Sequence, residues 1–560
     1  MSRQQASQTW DAVVVGSGAT GGWAAKRLAE AGLKVALLEA GRNVSPKEFT
    51  EHMPVWKLHY RGLSPEIART RPVQKQCYAC MEYNYDWFVD DLENPYRTPP
   101  GKPFTWQRLR IVGGRTLVWG RQSYRMSDLD FKAAGRDGYD VDWPISYAEL
   151  VPYYDIVERY VGISGAAEGN PALPDGQFLP PMKMTCGEVR LRERVRAKFG
   201  RTVTIGRTAV LTHSHNGRAA CHYCGPCERG CVTYSYFSSP FTTVADALKS
   251  GNCTLIRNAV VRHVDMDSGS NRATGVTYID RVTHKTNQVR ARAVLLCAQA
   301  LESTRILLNS STRVYGNGLA NSSGLLGRYL MDHAVGAGAS GELPDFPPEP
   351  AAGGPHRPNG IYLIRFRNIA GGPRHPRFIR GYGYQGEAGG EFDFAAGGFG
   401  AAYKDAVRKG VYRISLGAFG ESLARCENFC DIDPDLKDAW GIPALRIHMT
   451  HGDNERAMME DAAASAAEML EAAGARNIRI NATLAMPGMA IHEVGTARMG
   501  RDPKRSVLNA DCQAHDVKNL LVTDGACWVS SGCQNPTLTM MALTVRACDR
   551  LIERFRKSEV

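Results

Sequence analysis

The 560-residue sequence lacks any apolar run of the roughly 18 residues that a membrane-spanning helix requires, which argues against an integral helical membrane protein. It also lacks the charge excess of a disordered chain, because charged residues make up an ordinary 22% of it. We find no internal repeat and no low-complexity linker. The sequence therefore predicts a soluble globular protein with about three or four domains, or two large discontinuous ones.

A dense stripe of basic residues is also missing, although the net charge is +11. The one dense basic patch, residues 190–201, has the pattern of an ordinary amphipathic helix, so nucleic acid is not expected as a partner. Residues 1–10 contain no apolar core of a signal peptide. We therefore expect a protein that stays in the cytoplasm, or leaves it folded together with a partner that carries a signal.

A complete strand–helix–strand pattern opens the chain. Apolar strands are predicted at residues 10–15 and 35–38, with a small-residue helix between them and Glu39 after the second strand. The turn after the first strand reads Gly16, Ser17, Gly18, Ala19, Thr20 and Gly21. Glycines at this spacing let the backbone approach a pyrophosphate at a helix N-terminus, and the acidic residue accepts hydrogen bonds from ribose hydroxyls. The pattern predicts a dinucleotide site formed by this turn, Glu39 and the adjacent Ala40.

Two later segments, residues 293–309 and 520–555, repeat the alternation of apolar strand and helix, which indicates one doubly wound domain interrupted by long insertions. Residues 335–420 are instead rich in Gly, Pro and aromatic residues, with short alternating runs typical of an antiparallel sheet. The predicted fold class is α/β (α+β overall). A Rossmann-like domain is joined to a discontinuous substrate domain in which helices back an antiparallel sheet.

Several further motifs occur in the order typical of one enzyme family. They include a glycine-rich block at residues 113–120, the block 321–333, and a C-terminal signature in three parts: 492–500, 519–525 and 535–539. With these motifs the chain resembles the glucose–methanol–choline (GMC) flavoprotein oxidoreductases over nearly its whole length, and it looks close to bacterial sugar and glycoside dehydrogenases, such as the glycoside 3-dehydrogenases. Residues 46–107 and 335–420 lie outside the motifs and are expected to select the substrate.

The resemblance implies FAD as the cofactor. Besides the opening turn, Glu39 and Ala40, it assigns to the FAD site Gly113, Gly114, Thr116, Trp119, Gly120, Val261, Asp524, Gly525, Asn535, Pro536 and Thr537. Val118 stands where some relatives carry a His that binds flavin covalently, so non-covalent FAD is expected. The predicted FAD-binding domain comprises residues 1–55, 205–335 and 490–560. Residues 56–204 are expected to cover the flavin and form part of the substrate domain, and residues 336–489 to form the rest of it.

Oxidation of an alcohol requires removal of the hydroxyl proton and transfer of the geminal hydride. A neutral imidazole can take that proton near physiological pH. His492 occupies the position of the family's catalytic base, and Asn535 that of a second residue that is His or Asn in relatives. We therefore predict His492 as the base and Asn535 as the residue that orients the substrate oxygen. His333 and His451 are expected to be structural or exposed.

Four cysteines, Cys221, Cys224, Cys227 and Cys231, are spaced C-x2-C-x2-C-x3-C and are the predicted metal ligands. Thiolates at this spacing can hold an iron–sulfur cluster, but zinc or two local disulfides also fit the pattern. Resemblance to bacterial sugar and polyol dehydrogenases favours [3Fe-4S] over [4Fe-4S], with the three-cysteine pattern placed best on Cys221, Cys227 and Cys231. The role of the Cys77/Cys80 pair stays open.

A cluster near the flavin favours a dehydrogenase, which passes single electrons to an external carrier, over an oxidase. The resemblance implies a small subunit with a twin-arginine signal, a c-type cytochrome or other acceptor, and a periplasmic location through co-export, with the cytoplasm as alternative. The predicted substrate is a sugar or glycoside oxidised at a secondary ring hydroxyl, C3 in particular. Tyr382 and Tyr384 are expected either to stack on the sugar or to be core aromatics of the sheet. The alternatives are a sugar or alcohol oxidase with structural cysteines and a non-redox lyase of the same fold.

Overall fold

The computed structural model describes residues 9–62, 65–347, 356–392 and 397–560. Two predictions fall partly outside the described residues. The segment without a signal-peptide core includes residues 1–8, and the predicted aromatic sheet region includes residues 348–355 and 393–396. The strands are β1 (Thr9–Val15), β2 (Val35–Leu38), β3 (Ile163–Ser164), β4 (Phe178–Leu179), β5 (Val203–Ile205), β6 (Cys253–Ile256), β7 (Ala259–Met266), β8 (Ala273–Asp280), β9 (Thr286–Leu296), β10 (Gly338–Glu342), β11 (Ile361–Leu363), β12 (Tyr382–Glu391), β13 (Val411–Gly420), β14 (Phe429–Lys437), β15 (Pro443–His448), β16 (Arg476–Asn481) and β17 (Leu520–Val522).

The α-helices are α1 (Ala19–Glu30), α2 (Pro65–Thr70), α3 (Asp128–Phe131), α4 (Ala133–Asp137), α5 (Tyr147–Val161), α6 (Cys186–Phe199), α7 (Thr243–Lys249), α8 (Ala300–Leu308), α9 (Gly400–Lys409), α10 (Asp453–Ala472) and α11 (Thr537–Arg556). Of the helices in the described ranges, none combines the length and the apolar character needed to cross a bilayer.

The first sheet has the strand order β6-β2-β1-β9-β8-β7, and β17 pairs with the C-terminal end of β9. Strands β6, β2, β1, β9 and β17 are parallel, whereas β7 and β8 extend the sheet as an antiparallel hairpin. Continuous apolar runs such as Val35–Leu38 are buried because helices, including α1 and α7, cover the sheet. The carboxyl ends of β1, β9 and β17 therefore meet at one edge, where nucleotides bind in such sheets.

The second sheet is antiparallel in the order β16-β10-β13-β12-β11-β5. One face packs against α10, whose Met458, Met459 and Ala462 join the buried side chains of the sheet. The other face points toward the carboxyl edge of the first sheet, because Gln385 on β12 and Phe419 on β13 line a cavity there. This architecture confirms the predicted fold class. The exact domain boundaries stay a prediction.

Candidate active site

A cavity of about 510 Å³ lies where β1, β9 and β17 end. His492 lines it. Of the residues predicted to hold FAD, it is also lined by Gly16, Ser17, Gly18, Ala19, Thr20, Glu39, Ala40, Gly114, Thr116, Trp119, Gly120, Val261, Asp524, Gly525, Asn535, Pro536 and Thr537. Segments separated by hundreds of residues thus converge on one cavity.

Two predicted cofactor residues, Gly21 and Gly113, do not line the cavity. A Cβ at Gly21 would lie 1.8 Å from the carbonyl oxygen of Gly16, so this glycine allows α1 to pack tightly on the turn. Gly113 has a left-handed backbone (φ +94°), and a Cβ there would meet Pro240 at 2.4 Å. Both residues therefore shape the turns behind the cavity wall. By contrast, a Cβ at Gly18 would meet no atom within 4 Å and would enter the cavity.

Glu39 is buried at the cavity wall and anchors the turn. Its carboxylate accepts hydrogen bonds from the backbone N–H of Ser17 (3.1 Å), the hydroxyl of Ser17 (2.6 Å) and the backbone N–H of Gly41 (2.9 Å). Burial raises the pKa of Glu39, and these hydrogen bonds oppose the rise. Each carboxylate oxygen has two lone pairs, so acceptor capacity remains for a ribose hydroxyl.

Several buried polar groups at the cavity wall were not predicted from the sequence. Both amide atoms of Gln107, Nε2 of Gln299 and one guanidinium nitrogen of Arg110 have no hydrogen-bond partner among the described residues. A buried polar atom left unpaired costs about 1–3 kcal/mol, so these groups call for a polar ligand. Together with the open space above Gly18, they fit the amide edges and hydroxyls of FAD. Gln107 and Arg110 lie in or beside a segment without family motifs, so no sequence signal marked them.

His492 and Asn535 meet at the cavity wall. Nε2 of His492 lies 3.3 Å from the side-chain nitrogen of Asn535, whose amide oxygen accepts a hydrogen bond from Nε2 of Gln385 (2.8 Å). The carboxylate of Asp332 holds the His492 loop in place. It accepts from the backbone N–H groups of Gly488 (2.9 Å), Ala490 (3.2 Å) and His492 (2.9 Å).

The electrostatic environment keeps His492 neutral. Burial lowers the pKa of His492 well below its ordinary value, and the neighbouring His333 and the positive charge of Arg115 lower it further. A neutral imidazole is the form that can accept a proton. His333, expected to be structural or exposed, lies buried directly behind His492, with 2.8 Å between the two Nδ1 atoms. His451 lies elsewhere, with Nδ1 3.5 Å from the hydroxyl of Ser422.

Tyr382 and Tyr384 do not reach the cavity, so the alternative that they stack on a sugar is wrong and the alternative that they are core aromatics of the sheet is confirmed. They lie on the face of β12 that packs against α10, where Tyr382 hydrogen-bonds to Asp461 and the hydroxyl of Tyr384 donates to the carbonyl of Ala462 (2.7 Å). Alternate residues of a strand point to opposite faces, so Gln385 faces the cavity instead. The aromatic ring at this end of the cavity is Phe419, whose centroid lies 5.9 Å from that of His492.

The cysteine loop gathers its four thiols around one small cavity beside the large one. Cys221, Cys224, Cys227 and Cys231 all line it and are free thiols. Backbone N–H groups of Tyr223 and Ser235 point at the sulfurs of Cys221 (3.4 Å) and Cys231 (3.3 Å). Arg121 lines the large cavity and is close enough to Cys227 to oppose the rise that burial causes in the pKa of that thiol. The loop therefore abuts the wall of the large cavity.

As arranged, the cysteine loop does not fit a metal ion or a cluster. The cavity among the thiols is about 10 Å³, room for about one water molecule and too small for an iron–sulfur cluster. Within the described ranges, no three His, Cys, Asp or Glu side chains are placed so that they could hold a metal ion. Burial, followed by the neighbouring thiols, raises the pKa of Cys224 to about 12 in the metal-free loop. Cys77 and Cys80 are buried free thiols, and Cys77 lines the large cavity.

Comparison with known proteins gives matches along the whole chain. Residues 10–335 match the N-terminal part and residues 427–544 the C-terminal part of the family described as GMC oxidoreductase. The chain is 31% identical to 2-methyl-1,2-propanediol dehydrogenase from Mycolicibacterium austroafricanum, over 98% of this chain and 96% of that protein. It is 27% identical to the fructose dehydrogenase large subunit from Gluconobacter japonicus, over 98% of both proteins.

A solved structure shares the fold. Pyridoxine 4-oxidase from Mesorbium loti aligns with a TM-score of 0.61 and 19% sequence identity, over 97% of this chain and 99% of that one.

Proposed function

Because this chain belongs to the GMC oxidoreductase family, we propose that it oxidises a secondary ring hydroxyl of a sugar or glycoside, at C3, to the ketone. The family membership itself makes it an FAD-dependent oxidoreductase that acts on CH–OH groups of sugar or alcohol substrates. The observation that carries the proposal is the pair of His492 and Asn535 at the wall of the cavity that fits FAD.

The two residues have complementary tasks. The substrate hydroxyl binds to both side chains, whose nitrogens lie 3.3 Å apart. Its oxygen accepts a hydrogen bond from the Asn535 side-chain N–H, and its O–H donates to Nε2 of His492. His492 then takes the hydroxyl proton, while the hydride on the same carbon leaves and the C–O single bond becomes C=O. FAD, held by the turn after β1, Glu39 and Asp524, would supply the acceptor for that hydride. The amide of Asn535 cannot titrate, so its contribution is to orient the oxygen and stabilise charge on it.

A sugar or polyol is supported by the chemistry at this end of the cavity. Phe419 offers an aromatic face, and Gln385 and Gln122 offer amide groups, the combination that suits a ring with several hydroxyls. The C3 position rests on the resemblance to glycoside 3-dehydrogenases. A relative is named for 2-methyl-1,2-propanediol, so a small diol is the substrate to be tested against sugars.

The electron acceptor is proposed to be an external carrier. A relative named as a large subunit supports a complex, for which we propose a small subunit with a twin-arginine signal, a c-type cytochrome and co-export to the periplasm. The predicted [3Fe-4S] cluster requires a different arrangement of the 221–231 loop, so the proposed electron transfer does not depend on it. The iron-to-flavin ratio of anaerobically purified protein tests it: about three or four irons per flavin support a cluster. Iron-free flavoprotein from cells able to assemble clusters leaves the thiols structural.

The proposed reaction is tested by mixing the anaerobic FAD-bound protein with glucose, methyl glucosides and 2-methyl-1,2-propanediol. Bleaching of the flavin by a sugar, with a 3-keto product identified by NMR, is the expected result. Faster bleaching by the diol would overturn the sugar assignment, and a substrate consumed without bleaching would indicate the lyase alternative. Rapid oxygen consumption during turnover, with hydrogen peroxide formed, would indicate the oxidase.

A further inference from the structure

A chain of hydrogen bonds runs from the cavity into the protein behind His492. Nδ1 of His492 lies 2.8 Å from Nδ1 of His333, and Nε2 of His333 lies 2.9 Å from the carbonyl oxygen of Gly532. His333 and Gly532 are buried. On the cavity side the chain continues from Nε2 of His492 to Asn535 and then to Gln385.

The carbonyl of Gly532 sets the protonation pattern of both imidazoles, because a carbonyl oxygen can only accept a hydrogen bond. Nε2 of His333 must therefore carry the proton that it donates. Burial lowers the pKa of His333 to about 4, so this ring is neutral and its Nδ1 is left with a lone pair. The lone pair needs a donor, and Nδ1–H of His492 is the group that faces it. Nε2 of His492 is then unprotonated and faces Asn535.

The side-chain amides of Asn535 and Gln385 donate their hydrogen bonds in the same direction along the chain. An unprotonated Nε2 on His492 requires a donor, which is the side-chain N–H of Asn535. The amide oxygen of Asn535 then points away and accepts from Nε2 of Gln385. From Gln385 to Gly532, every group donates to the next. A single reversed member would place two donors or two lone pairs against each other inside a buried site, which is costly.

We propose that His333 is a positioning residue that fixes His492 in the tautomer with an unprotonated Nε2, and that Gln385 fixes the amide of Asn535 so that its N–H groups face the substrate. This assignment rests on the proposed function, in which His492 is the base. It adds the residues that hold His492 in its proton-accepting form before substrate binds. Without His333, the free energy that favours this tautomer is lost, and Nε2–H becomes accessible to His492.

The test compares three variants of the FAD-bound enzyme. His333→Leu removes the acceptor for His492 Nδ1–H and should lower the rate of flavin reduction by substrate about tenfold or more. His333→Asn keeps an acceptor oxygen near the position of Nδ1 and should restore most of that rate. His451→Leu is the matched control, because it removes another histidine that does not line the cavity, and it should leave the rate unchanged. Equal losses in His333→Leu and His333→Asn would overturn the proposal.

A second readout needs no substrate. ¹⁵N NMR of the histidine-labelled, substrate-free wild-type enzyme distinguishes protonated from unprotonated ring nitrogens, with His492→Ala identifying the His492 signals. The expected spectrum shows His492 with Nδ1–H and unprotonated Nε2. A proton on Nε2 of His492 in this spectrum would overturn the proposal, even if the rate measurements identify His492 as the base. Conversely, a normal rate of flavin reduction in His492→Ala would refute the proposed function while leaving the tautomer measurement valid.

Discussion

Gly18 and Gly21, two glycines of the turn after β1, are expected to respond differently to replacement by alanine. A Cβ at Gly21 would lie 1.8 Å from the carbonyl oxygen of Gly16, whereas a Cβ at Gly18 would meet no atom within 4 Å. Gly21→Ala should therefore destabilise the fold. Gly18→Ala should leave the fold largely intact and instead place a methyl group in the cavity where the backbone approaches the cofactor.

The size of each effect follows from the surroundings. Overpacking costs about 1–3 kcal/mol, and Gly21→Ala belongs at the upper end because a backbone carbonyl cannot rotate away. The better helix propensity of alanine offsets about 1 kcal/mol, which leaves a net loss of about 2 kcal/mol in the free energy of unfolding. Gly18 is the N-cap of α1, and alanine, a poorer N-cap, costs the fold about 0.5–1 kcal/mol. In Gly18→Ala the added methyl group also crowds bound FAD. The same overpacking cost of about 1–3 kcal/mol then raises the Kd for FAD about 5- to 150-fold.

The assay measures two quantities for each variant: the denaturant midpoint of the flavin-free protein and the Kd for FAD from flavin fluorescence. Gly316→Ala is the control, because Gly316 is exposed and a Cβ there would meet no atom within 4 Å, so neither quantity should change. Wild-type FAD affinity in Gly18→Ala, or wild-type stability in flavin-free Gly21→Ala, would refute the reasoning.

Three further predictions concern the active site. His492→Ala should lower the rate of flavin reduction by substrate about 10²-fold or more, measured by anaerobic stopped flow, and a near-normal rate would remove His492 as the base. Gln385→Leu removes the hydrogen bond that orients Asn535 and should lower kcat/KM about tenfold with unchanged FAD affinity; an unchanged kcat/KM would contradict the role of Gln385. Burial lowers the pKa of His333 from 6.5 to about 4, so the unfolded chain binds more protons than the folded one in this range. The free energy of unfolding should therefore fall as the pH drops from 6.5 to 4, and denaturant titrations of His333→Asn should show a weaker fall. The same pH dependence in His333→Asn and the wild type would contradict this prediction.

Much of the cofactor site could be predicted from the sequence because its signals are local. The glycine turn follows directly on an apolar strand, and Glu39 follows directly on the next, so neighbouring residues carry both the fold and the chemistry. The unpaired amide of Gln107 and one unpaired guanidinium nitrogen of Arg110 belong to the same cavity but carry no local pattern. Their role depends on which surface they face after folding, and residue type alone does not determine that.

In the second sheet, too, the sequence predicts one part of the arrangement and the tertiary structure decides the other. The alternation in residues 382–391 implies that Tyr382 and Tyr384 share one face and that Gln385 lies on the other. Which face meets the cavity depends on α10, which starts about 60 residues later and covers the tyrosines. The spacing of the cysteines likewise predicts that they share a loop, but the size of the space between the thiols is a property of the folded loop.

By itself, therefore, the sequence predicted the fold class and the nucleotide turn from local patterns, and its resemblance to a family indicated the pair His492 and Asn535. Only the tertiary structure placed His333 behind His492, 159 residues away, and Gln385 beside Asn535, 150 residues away. The physical reason is that a hydrogen bond acts over about 3 Å, whatever the separation along the chain. The partners of His492 and Asn535 are therefore decided by how distant segments pack in the folded protein.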